Sequence, residues 1–129
     1  MLGCFWRDED NGQEIIEYAM VLPLLLLLLF GIVEFGVAVW HYDTIANAAR
    51  EAARCGIIPA NRVDGMEECK RQAVAHWGIG LNLTTDDFHP TWDDNVVRVE
   101  VDYDYRPITG LIIPAATIPF RTVATMRTE

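Results

Sequence analysis

Basic residues are scarce in this chain, 10 against 19 acidic ones in 129 residues, for a formal net charge of −9. Nucleic-acid affinity comes largely from basic groups set against phosphates, so this balance argues against a nucleic-acid partner. Histidine is sparse too: His41, His76 and His89 are scattered, and with three cysteines in all they give none of the ligand spacings of a zinc site. Asp86-Asp87 and Asp93-Asp94-Asn95, read as flanking a turn through Pro90, lack the alternating spacing of a calcium loop and read as a solvated acidic loop. There is no glycine-rich phosphate loop, no recognisable nucleophile set, no internal repeat and no low-complexity tract. The sequence therefore gives no support to enzymatic function, and no metal or cofactor is expected. What it has in excess is apolar: 51% of residues are hydrophobic and the mean hydropathy is +0.13, which excludes a disordered acidic tail. The length fits a single small domain.

The apolar surplus is concentrated between Ile15 and Trp40. Tyr18 to Val33 is 16 residues without a charge, about 24 Å of helix and slightly short for a bilayer core. Extending it over Ile15 to Trp40 gives about 39 Å, but admits Glu17 near one end and Glu34 toward the other. A carboxylate in hydrocarbon costs a few kcal/mol or more, so such groups are paired, near the interface, or functional. Glu34 reads as the end of the span, its carboxylate snorkelling into the headgroup layer. Glu17, with Glu14 before it, can be read as an acid in the first turn of a helix, where the dipole favours it. Its neighbours suggest more.

Those neighbours are Gly12-Gln13-Glu14-Ile15-Ile16-Glu17-Tyr18, followed by an apolar stretch containing Pro23. The segment resembles the processing site of type IV pilin-like precursors, in which a prepilin peptidase cuts after glycine and leaves glutamate as the fifth mature residue. The cut would fall between Gly12 and Gln13, making Glu17 that glutamate and Tyr18 its neighbour, as in pilins of the tight-adherence (Flp) system. Met20-Val21-Leu22-Pro23-Leu24, Phe30-Gly31-Ile32-Val33-Glu34-Phe35-Gly36 and Asn47-Ala48-Ala49-Arg50-Glu51-Ala52-Ala53-Arg54 look like the TadE-like pseudopilins of that system. The likeness is dense over about residues 12–56 and beyond them is one of layout only.

The resemblance implies that Glu17 neutralises the N-terminal ammonium of a neighbouring subunit in a filament. Pairing would offset the desolvation of both groups and set axial register. Pro23 removes one backbone hydrogen bond, so a kink or local unwinding is expected there, a tolerated membrane proline being the alternative, and the resemblance implies a bend or melting during packing into the filament. Two features depart from the pattern. The leader Met1 to Gly12 has Arg7 as its only base, and Arg50 and Arg54 follow the span, against the positive-inside rule. An ordinary secretory signal, with Leu24 to Phe30 as its core and Gly36-Val37-Ala38 as its cleavage site, lacks the basic front end that such signals carry.

Beyond Glu34, Phe35, Val39, Tyr42, Ala46, Ala49 and Ala53 recur at helical spacing and predict one core-facing stripe on a helix that continues to about Arg54. Ala46, Ala48, Ala49, Ala52 and Ala53 would let another backbone or a sheet approach closely. Gly56 and Pro59 then end the helix. Asp64-Gly65-Met66-Glu67 has the form of a capping box, predicting a second helix from near Gly65 to about Trp77. Val97, Val99, Val101, Tyr103 and Tyr105 alternate with Arg98, Glu100, Asp102 and Asp104, a half-buried strand with an acidic outer face. A last strand runs from about Ile118 to Arg127, its arginines able to pair with Glu100, Asp102 or Asp104. Leu81 to Phe88 is expected to supply a short third strand. The apolar linker Pro107 to Pro119 is expected to cover one end of the core, with a subunit contact as the alternative. Cys4 would leave with the leader, and Cys55 and Cys69, an even pair in an exported domain, are expected to form a disulfide, free buried thiols being the alternative.

The fold expected is α+β and pilin-like: a leader over residues 1–12, a long helix over 13–56 with a membrane span at about 15–38, and an exported head over 57–129 in which a short helix packs on a small antiparallel sheet. The function expected is that of a pilin-like subunit, first a single-pass membrane protein with its head exported and then part of a surface pilus. Its partners would be copies of itself or other pilins, the prepilin peptidase, the inner-membrane assembly platform and membrane lipid. A main structural pilin forming the shaft is the alternative within this class. A single-pass anchored protein whose head binds another partner is the alternative of a different class, and would remain uncleaved.

Overall fold

A helix of 48 residues, α1 (Glu9–Gly56), dominates the molecule. At 1.5 Å per residue it is about 72 Å long, far more than the remaining residues can cover. The structure is a computed structural model and describes residues 9–58, 65–108 and 117–127, with side chains from Gly12 onward in α1. Against the C-terminal half of α1 pack a second helix, α2 (Met66–Trp77), and an antiparallel sheet in the order β1 (Phe88–Asp93), β2 (Val96–Tyr105), β3 (Ile118–Arg127). This is the α+β, pilin-like layout that the sequence predicts.

The sheet's inner face follows from β2. Val97, Val99, Val101 and Tyr105 are buried while Arg98 and Asp104 face water, the alternation expected of a strand with one covered side. The acidic outer face is partly neutralised from β3. Arg121, opposite Asp102 in the register, donates from Nε to Asp102 Oδ1 at 2.7 Å and lies 3.0 Å from Glu100 Oε1.

What α1 offers the sheet is small. Ala48, Ala49, Ala52 and Ala53 are fully buried with Ile45, letting the valines of β2 and Cys69 and Ala73 of α2 approach the helix axis closely. Cys55 and Cys69 are joined, Cα to Cα 5.6 Å, fastening α2 to the end of α1. From that bridge α2 runs back along α1, because Gly80 lies against Trp40: a Cβ there would sit 3.4 Å from Trp40 Cη2. Two glycines make this return possible. At Gly78, whose N–H caps α2 on the Val74 carbonyl at 2.7 Å, a Cβ would fall 2.4 Å from that oxygen. Gly80 has φ +84°, a conformation that side chains rarely adopt.

The head thus has two ends along α1. The distal end is marked by Gly56 against Val97 and by the two-residue turn Asp94-Asn95 between β1 and β2. The proximal end, nearer the N-terminus of α1, is marked by Trp40 with Gly80 and by the end of β2 at Tyr105.

Three expectations are corrected. The buried stripe of α1 is rotated from the predicted one: Ala49 and Ala53 are core, but Phe35, Val39 and Tyr42 are exposed, and the covered line runs instead through Glu34, His41, Ile45, Ala48 and Ala52. Large apolar residues mark a core stripe only where the other face meets water, and small residues are what a close-packed face requires. The extra strand does not span Leu81 to Phe88; it begins at Phe88, because Asp87 Oδ2 accepts from the Thr84 N–H at 2.7 Å and hydroxyl at 3.0 Å and holds Thr85–Asp87 in a 3-10 turn. Pro90 is accordingly not in a turn. It lies in edge strand β1 opposite Val99, where a residue without an N–H is tolerated, and the turn is made by Asp94, with φ +43°, and Asn95.

Helix α2 starts where predicted, with Gly65 at the N-cap and no side-chain cap; Asp64, the capping residue of the expected box, lies outside the described residues. So do Cys4, Pro59, most of the leader, and residues 109–116 of the apolar linker. Ile108, at the start of that linker, is exposed and does not cover the core.

Candidate functional site: the bare helix and its junction with the head

Gly12, Gln13, Glu17 and Tyr18 all lie in α1, well before the first residue that the head touches, and all four are exposed. From Gln13 to Val33 the side chains are exposed throughout except at Gly31, so this stretch has no partner within the described chain. It is apolar enough to cross a membrane, with a mean hydropathy of 2.5 over its best 18-residue window. Glu17 stands on it one turn beyond Glu14 and one turn before Val21, where the surface from Ile15 onward is otherwise made of Ile15, Ile16, Tyr18 and leucines. α1 continues without interruption through Pro23, which lacks the N–H that would bond to the carbonyl four residues earlier.

The junction is built on Glu34. Its Oε1 accepts from the Tyr105 hydroxyl at 2.7 Å and from the Ile108 backbone N–H at 2.9 Å, contacts across 71 and 74 residues of sequence. The Glu34 carboxylate thus does more than end the apolar span: it turns toward the head and ties the end of β2 and the following loop to α1. Charge-assisted bonds of this kind are about twice as strong as neutral ones. Burial, the bond to Glu34 and the charge of Glu34 together push the Tyr105 hydroxyl up to about 12. Aromatic rings close the junction around it: Tyr105 stacks on Phe120 at 5.3 Å, and His41 meets the Tyr105 ring edge-on at 5.0 Å.

Sequence reasoning missed this role, although a signal was present. Glu34 falls three to four residues apart from Ala38, His41, Ile45, Ala48 and Ala52, the line that the small residues of α1 mark as its packed face. Among the described residues, no group of three or more His, Cys, Asp and Glu side chains is placed to hold a metal ion.

Residues 12–54 match the family model of the TadE-like protein, roughly a third of the chain. The N-terminal helix is TadE-like. The matched range includes the Gly12-Gln13 pair, Glu17, Pro23, the Glu34 junction and the buried alanines, and stops short of the disulfide, α2 and the sheet. No curated protein and no solved structure matches the chain. The TadE-like segment thus combines a bare apolar half with a half packed under the head, the division of a single-pass anchor that carries a folded domain.

Proposed function

We propose that this TadE-like chain is the precursor of a pilin-like subunit of a tight-adherence pilus, cut by a prepilin peptidase between Gly12 and Gln13. Residues 1–12 are then a leader, 13–56 the mature helix and 57–129 the exported head. Before assembly the bare apolar part of α1 holds the subunit in the membrane, the span expected at about 15–38 ending on its outer side near Glu34, where the head meets the helix. On the inner-membrane platform it leaves lipid for a filament of its own copies or of other pilins, either initiating that filament or joining it.

The observation that carries the reading is the exposed Glu17, five residues from the proposed cut on an unpartnered apolar helix within the TadE-like segment. In lipid or among other helices its carboxylate needs a partner, and the ammonium created by cleavage at Gln13 of a neighbour supplies one. Tyr18 lies beside that pair, and the backbone gap at Pro23 gives the helix a place to bend as subunits pack.

The test is Glu17→Ala. The variant is expected to be cleaved and to insert in the membrane as well as the parent or better, and to be missing from sheared surface filaments. Normal incorporation of the variant into filaments would sink the proposal.

A further inference from the structure

We propose that the proximal end of the head is a lipid-contacting surface that rests in the headgroup layer of the bilayer crossed by α1, so that the subunit meets the membrane through its head as well as its helix. The inference rests on the membrane-anchor reading of the bare helix and adds a second site of contact to it.

From Gln13 to Val33 is about 31 Å of helix, which matches a hydrocarbon core of about 30 Å and puts Glu34 at its outer boundary. Trp40 is about 9 Å further along the axis, and helical side chains lean back toward the N-terminus, which brings its ring down into the headgroup layer. Three separate elements present large apolar side chains to the outside at this level. α1 contributes Phe35, 73% exposed, and Trp40, 50% exposed. The turn that ends α2 contributes Ile79, 76% exposed, placed there because its neighbour Gly80 lies against Trp40. The loop after β2 contributes Ile108, 72% exposed, held at the boundary by its N–H on Glu34.

Single apolar residues are ordinary on a water-facing surface, but large ones from three elements at one level along α1 mark a contact surface. A tryptophan among aliphatic side chains at headgroup depth is the composition of a membrane interface. Ile118, which pairs with Tyr105, brings the start of β3 to the same level. The distal end differs: its turn carries Asp93, Asp94 and Asn95, with Ile58 and the more covered Trp92 as its apolar exceptions.

The experiment uses the full chain, one copy per nanodisc of phosphatidylcholine, with lipids brominated near the top of the acyl chain as the quencher, and near its end for the reference in mid-span. Reporters are Trp40 itself and tryptophans introduced by Ile79→Trp and Ile108→Trp, each as the sole tryptophan; Trp92 serves as the distal reference and Leu25→Trp as the reference within the span. The emission of Trp40 and of both introduced tryptophans is expected to fall about twofold or more, while that of Trp92 is unchanged. Because the substitutions could disturb the head, the unaltered chain is also labelled with a photoactivatable phosphatidylcholine, and adducts are expected on the peptides holding Ile79 and Ile108. Quenching at Leu25→Trp with none at Ile79→Trp and Ile108→Trp, and no adducts on those peptides, overturns the proposal and leaves the anchor standing. Blue-shifted but unquenched emission at both positions means that protein covers them, a second copy included, and overturns it as well. No quenching at Leu25→Trp removes the anchor reading and the proposal with it.

Discussion

Glu34 is one acid in a long apolar helix, and what it touches decides what it does. With the Tyr105 hydroxyl and the Ile108 N–H both on Oε1, it fixes the head to the helix at the level where the bare stretch ends. Tyr105→Phe is expected to lower the stability of the head by about 2 kcal/mol in chemical denaturation, the worth of a bond to a charged acceptor. Glu34→Ala is expected to cost at least as much, since it leaves two donors without a partner, and the double variant should cost less than the two single effects added. The pH dependence follows from the direction of the Tyr105 shift. Its folded value is raised to about 12 from the usual 10, so its contribution is fully present below pH 10 and is lost as pH rises through 12. Stability measured from pH 9 to 12 should fall in the parent, and Tyr105→Phe should flatten that fall.

At the scale of elements, α1, α2 and the sheet are held by small residues and a bridge rather than by large side chains. Ala48 and Ala52 are completely buried, so enlarging either to Leu is expected to cost about 1–3 kcal/mol through overpacking. The Cys55–Cys69 bridge closes a separation of 14 residues, and replacing both cysteines by Ser should lower stability by about 3 kcal/mol in urea unfolding. β2 and β3 were legible residue by residue, because one face meets water and the other a core, and alternation reports that contrast directly. β1 was not, because Pro90 reads as a turn until the strand is known to lie at a sheet edge. The packed stripe of α1 was misread by one position for a related reason: with Phe35, Val39 and Tyr42 facing outward, hydrophobicity marks the wrong face, and alanine marks the right one. The Gly12 to Tyr18 segment stands out because its residues are contiguous, so its likeness to a processing site does not depend on the fold. The Glu34 junction was not, since its partners lie more than 70 residues away.

For the whole molecule, acid and hydrophobicity occupy different places. The apolar surplus lies in one half of one helix and at the adjoining end of the head, and the distal turn is acidic. A chain so divided suits a subunit stored in a bilayer and drawn from it into a filament, with Glu17 as the group that lipid tolerates least and a neighbour's ammonium satisfies best. All of this depends on the cut that creates that ammonium. N-terminal sequencing with intact-mass measurement of the protein extracted from membranes of peptidase-competent cells tests it most directly. A chain beginning at Gln13 is the predicted result, with a peptidase-deficient strain yielding the uncut form; a chain that begins at Met1 in competent cells, or at Val39 through an ordinary signal cleavage, would contradict the account.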